Sequence, residues 1–76
     1  MDRMNELYAK AKPETNLKIM REWAGLTQAR LAAAAEVPVR TIQQYEQRQK
    51  SIRKANIETV LSLAHAIGCH VEDLID

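Results

Sequence analysis

Apolar side chains recur along this chain with the period of a helix. Leu17, Met20 and Ala24, with Arg21 beside them, follow an i, i+3, i+4, i+7 pattern and predict a helix from about Thr15 to Ala24. Thr15 or Asn16 supplies its cap, and Gly25 suits a left-handed stop. A second helix follows at once, with Thr27 as N-cap, a strongly helix-favouring run from Ala29 to Ala35, and Leu31 and Ala32 pointing inward. Pro38 starts a third, to about Gln47. On its wheel Ile42 and Tyr45 lie together with Val39 nearby; Arg40, Gln44 and Gln47 lie opposite, with Gln43 between. The fourth spans about Asn56 to Ile67, with Ile57, Val60, Leu61, Ala64 and Ile67 read as inward and Gly68 as its stop. A short fifth, VEDLID, closes the chain. Upstream, Met4, Leu7, Tyr8 and Ala11 make a short amphipathic pattern that Pro13 ends. The expected division is an N-terminal extension, residues 1–14, either a short amphipathic helix or an unstructured leader, and an all-α domain over residues 15–76.

The second and third helices are short and about three residues apart. Such helices cross steeply, as in a helix-turn-helix. A chain of 76 residues holds one domain at most. Its 46% hydrophobic and 28% charged content suits a soluble globular protein. A single cysteine excludes an internal disulfide and points to a reducing cytoplasm. No apolar run approaches the roughly 18 residues of a membrane span. MDRMNELYAK has charges where a secretion signal needs apolar residues. The net charge of +1 conceals an asymmetry. Residues 39–54 carry Arg40, Arg48, Lys50, Arg53 and Lys54 against Glu46 alone, whereas residues 55–76 carry Glu58, Glu72, Asp73 and Asp76 with no Lys or Arg. A local basic segment is a candidate for a polyanion, a plain solvated loop being the alternative.

The stretch LKIMREWAGLTQARLAAAAEVPVRTIQQYEQ resembles the Cro/repressor (Xre-type) helix-turn-helix family. The likeness lies in the Leu-x-x-Met-Arg opening, the GLTQ turn, the Leu-Ala pair and Val-x-x-x-Thr-Ile-x-x-Tyr-Glu, and continues through IETVLSLAHAIGCHVEDLI. It implies a five-helix domain that binds double-stranded DNA, usually as a homodimer on a pseudo-palindromic operator, and regulates transcription. By position it implies base-reading roles for Val39, Arg40 and Gln44, with Gln43 adjacent. Phosphate contacts fall to Gln28, Thr41 and the loop carrying Arg48, Lys50 and Arg53. It also implies a charged tie between Arg21 and Glu46. The chain departs from the pattern in three places. Glu36 holds the turn position usually given to Gly, no Gly follows the Tyr-Glu of the third helix, and the QRQKSIRKAN connection is longer by two or three residues. Ile52 within it reads as a core anchor.

The residue types suit base reading. Arg donates two parallel bonds to guanine, Gln pairs in bidentate fashion with adenine, and Val meets a thymine methyl; each good bidentate contact gives roughly 1–3 kcal/mol of discrimination. A merely solvated helix face is the alternative reading of the Arg/Gln stripe. For Arg21 and Glu46 a purely structural tie is preferred to any DNA contact. His65, Cys69 and His70 offer three ligands where a structural zinc site needs four, so no metal and no cofactor is expected. No nucleophile–base set and no Gly-rich phosphate cradle stands out, so no enzyme activity is expected. Ile19 and Trp23, i and i+4, face away from the Leu17/Met20/Ala24 side, where the resembled family has charges. With Leu7 and Tyr8 they are a candidate protein interface, either for the extension itself or for a second subunit. The expected function is a cytoplasmic, sequence-specific repressor; an antitoxin-type autorepressor and a protein-docking module using the Ile19/Trp23 surface are the alternatives.

Overall fold

The computed structural model describes residues 14–76. It forms four α-helices: α1 (Asn16–Trp23), α2 (Gln28–Ala35), α3 (Val39–Glu46) and α4 (Ile57–Ile67). Two 3-10 turns, Ile52–Lys54 and Val71–Asp73, complete it, and there is no strand among the described residues. The helix expected over residues 3–11 lies outside the described residues.

Each start has a local cause. Thr15 Oγ1 accepts from the Lys18 amide at 3.2 Å and Thr27 Oγ1 from the Arg30 amide at 3.1 Å. Asn56 Oδ1 accepts from the Glu58 amide at 2.8 Å. Each satisfies an amide that would otherwise lack a partner in the first turn. Pro38 caps α3 without a side-chain bond; its φ of −61° sets the chain for the helix behind it. α4 ends at Gly68, φ 87°, in the left-handed region that glycine enters without penalty. α2 ends in the same region at Glu36, φ 57°, where a side chain must tolerate it.

α2 packs on both α3 and α4, while α1 packs on α3 and on the second 3-10 turn. Leu17, Leu31, Ile42, Leu63 and Leu74 are fully buried at the centre. Each such side chain contributes about 1.5–3 kcal/mol through removal from water. Ile52 joins them at 7% exposure and pins the long connection to the core.

Two expectations are corrected. Ile57 and Leu61 do not face inward: they are 60% and 42% exposed. The buried stripe of α4 is Val60, Leu63, Ala64 and Ile67. The helix is apolar over more than one face, so its pattern left the angle open, and contact with α2 selects the side centred on Leu63. The expected fifth helix is a single 3-10 turn. Asp73 and Leu74 amides bond back three residues, to the His70 and Val71 carbonyls at 3.0 Å, and the Asp73 carboxylate accepts from the His70 amide at 2.9 Å. Leu74 then plugs the core.

Candidate nucleic-acid interface

α3 has two unlike sides. Ile42 at 0% exposure and Tyr45 at 9% hold it to the domain. Val39, Arg40, Gln43 and Gln47 are exposed, and Thr41 and Gln44 are half-buried. Val39, close to the seam on the wheel, therefore remains available at the start of the helix. Arg40, Gln43 and Gln44 share the helix with it, three and four residues apart, so they lie on adjoining turns.

A polar knot fixes the angle of α3. Arg21 Nε donates to Glu46 Oε2 at 2.7 Å and Arg21 Nη2 to Glu46 Oε1 at 3.1 Å, a bidentate pair from α1 to α3. Arg21 Nη1 donates to the Leu26 carbonyl at 2.7 Å in the turn before α2. Gln28 Nε2, at the start of α2, donates to Glu46 Oε1 at 3.0 Å. One carboxylate thus gathers α1, α2 and α3. The two charged side chains are only 10% and 4% exposed, so water screens the pair little. The hydrogen bond to Glu46 raises the Arg21 guanidinium above its ordinary range and outweighs the opposing effect of burial. Gln28's place in this knot escaped the sequence. Nothing in the spacing of 21, 28 and 46 announces a three-helix junction.

After α3 the chain turns sharply. Arg48 takes the left-handed conformation at φ 60°, close to where the family resemblance leads one to look for glycine. The Gln49 and Lys50 amides both return to the Gln44 carbonyl, at 2.9 and 3.2 Å. Ser51 Oγ accepts from the Arg53 amide at 3.3 Å and starts the first 3-10 turn. Arg53 Nε donates to the main-chain oxygen of Asp76 at 2.8 Å. Arg48, Lys50, Arg53 and Lys54 are all exposed. The loop that leaves the end of α3 therefore carries four exposed cations on a backbone held by hydrogen bonds and by Ile52. An exposed helix beside a fixed cationic loop can meet base edges and phosphates together.

The remaining candidates fall elsewhere. Ile19 is 41% and Trp23 70% exposed on α1; Leu7 and Tyr8 lie outside the described residues. No three His, Cys, Asp or Glu side chains among the described residues gather so as to hold a metal ion. No helix of the described residues is long and apolar enough to cross a membrane. Burial raises the Cys69 thiol above its usual range, with Asp73 adding to the shift.

A protein-family model described as Helix-turn-helix matches residues 17–74, from the start of α1 through the second 3-10 turn. No curated protein and no solved structure matches the chain.

Proposed function

The chain belongs to the Cro/repressor (Xre-type) helix-turn-helix family of DNA-binding regulators, and on that premise we propose that it is a cytoplasmic repressor that reads duplex DNA with α3 in the major groove. The observation that carries this is the two-sidedness of α3: Ile42 and Tyr45 are buried, while Arg40 and Gln43 are exposed beside a loop with four cations. Val39, Arg40, Gln43 and Gln44 read bases. Gln28, Thr41, Arg48, Lys50 and Arg53 meet phosphate; Gln28 has a second amide hydrogen for this beside the one given to Glu46. Arg21 and Glu46 hold the angle without touching DNA. Two copies bind as a homodimer, with recognition helices about 34 Å apart on a pseudo-palindrome. Selection of bound sequences from a random duplex pool tests this reading. Enrichment of an inverted repeat spaced by about one helical turn supports it; recovery of no common sequence contradicts it.

One observation favours a second reading. Trp23 is 70% exposed and shares a face of α1 with the exposed Ile19. Large apolar side chains set together on a surface mark an interaction site, so this face docks a protein segment. Trp23 is the single Trp of the chain, and its emission reports its surroundings directly. Deleting residues 1–12 shifts that emission to the red if the chain's own extension is the docked segment. Unchanged emission rejects docking by the extension.

A further inference from the structure

Either Thr15 or Asn16 suits the cap of α1 by residue type, and the fold gives that task to Thr15, whose Oγ1 holds the Lys18 amide. The half-buried Asn16 side chain has a different use. Its Nδ2 donates to the Ile75 main-chain oxygen at 2.9 Å, and its own amide donates to Asp76 Oδ1 at 2.8 Å. Asn16 thus grips the segment that follows the second 3-10 turn at two points.

The grip reaches the basic loop. The main-chain oxygen of Asp76 accepts from Arg53 Nε at 2.8 Å. Leu74, fully buried, anchors the gripped segment from one side. Ile52, buried next to Arg53 in the chain, anchors the loop from the other, and Ser51 Oγ accepts from the Arg53 amide at 3.3 Å. Arg53 is exposed, yet it is held at its amide and at Nε. The remaining donors of its planar fork therefore keep a set direction. The connection that carries Arg53 is two or three residues longer than the pattern it resembles. A longer loop has more freedom to lose, and arginine is among the side chains that cost most to order. Ordering it before a partner arrives removes that cost from the binding step.

We infer that Asn16 is a positioning residue for Arg53: through Ile75 and Asp76 it sets the guanidinium before any duplex binds. The inference rests on the DNA reading for what Arg53 meets. It goes beyond that reading by giving a task in it to an uncharged side chain on α1 that does not itself touch DNA.

The test is a double-mutant cycle on the full chain, read as affinity for a mixed-sequence duplex at fixed low salt. Asn16→Ala alone weakens binding about twofold to tenfold, the cost of ordering one long side chain at the moment of binding. In an Arg53→Ala background the same substitution has no further effect, because the side chain it positions is gone. Asn16→Leu, similar in size and a better helix former, repeats the result in a variant that keeps α1. Thr15→Ala removes the cap bond of α1 and lowers the melting temperature, but it shows no such coupling to Arg53. A second readout needs no DNA: by NMR of the free chain, the Arg53 Nε proton exchanges with water more slowly in the wild type than in Asn16→Ala. An Asn16→Ala effect that persists undiminished beside Arg53→Ala overturns the positioning role. So does equal coupling from Thr15→Ala, or an Nε proton that exchanges alike in both proteins. Any of these with duplex binding intact defeats the positioning role alone. A wild type that binds no duplex defeats the DNA reading, and the positioning role with it.

Discussion

The Glu46 carboxylate is 4% exposed and accepts from Arg21 and Gln28. Removing Arg21 leaves a buried charge with only an amide for company. Breaking one partner of such a pair costs about 3–5 kcal/mol when burial is complete, so Arg21→Ala is expected to lose about 3 kcal/mol in a denaturant melt. That is a large share of the roughly 5–15 kcal/mol that holds a domain together. The companion double variant Arg21→Ala/Glu46→Leu recovers part of the loss, because no charge is then stranded. An unchanged midpoint for Arg21→Ala would show that the knot does not bear on stability. Cys69 gives a second prediction at this scale. Its thiol is raised by burial, so less thiolate is present at mildly alkaline pH than in the unfolded chain. Alkylation is therefore slower in the native state. The stability this contributes is present below the unfolded thiol's pKa and is lost as pH rises through the folded one. Equal rates in native and denatured protein would contradict it.

Among elements, the two non-glycine residues in the left-handed region separate fold from task. Glu36 is exposed at φ 57° and makes the stop of α2. Its side chain contributes nothing to the turn that glycine lacks, and a non-glycine residue there costs on the order of 1 kcal/mol. Glu36→Gly is expected to raise the melting temperature by roughly 4–8 °C, and Glu36→Val to lower it. A lower melting temperature for Glu36→Gly would mean that the Glu36 side chain stabilises the turn. Arg48 occupies the same conformation at φ 60° but in the basic loop, where a charge has a use. The helices themselves were legible because capping and stop chemistry is local. Thr15, Thr27, Asn56, Pro38 and Gly68 act within a turn of where they stand. α4 shows the limit. With apolar residues on several faces its angle depends on α2, so Ile57 and Leu61 are exposed where periodicity put them inside. The last segment has residues for barely one turn before Leu74 must reach the core, and a 3-10 turn results. The exposed side of α3 was legible, since Ile42 and Tyr45 define its opposite. The knot at Glu46 was legible only in part, because Gln28 reaches it only through tertiary packing.

For the whole molecule, charge placement matters more than the net charge of +1. Cations concentrate in α3 and the loop after it, and the last 22 residues carry acids only. A duplex therefore has one favoured side to approach. Counterion release then makes affinity fall steeply with salt, with a slope of about −0.9 per neutralised phosphate. Lys50→Ala and Arg53→Gln each reduce that slope by about 1 and weaken all sequences alike, whereas a base-reading residue acts on preference. The most direct measurement compares wild type and Arg40→Ala on the selected operator and on a scrambled duplex across a salt series. Operator binding should weaken steeply with salt in both proteins. Arg40→Ala should lose about 1–3 kcal/mol on the operator, keep its binding to the scrambled duplex, and retain the wild-type salt slope. Equal loss on both duplexes, or no binding to either by the wild type at low salt, would contradict the assignment of α3 as the element that reads DNA.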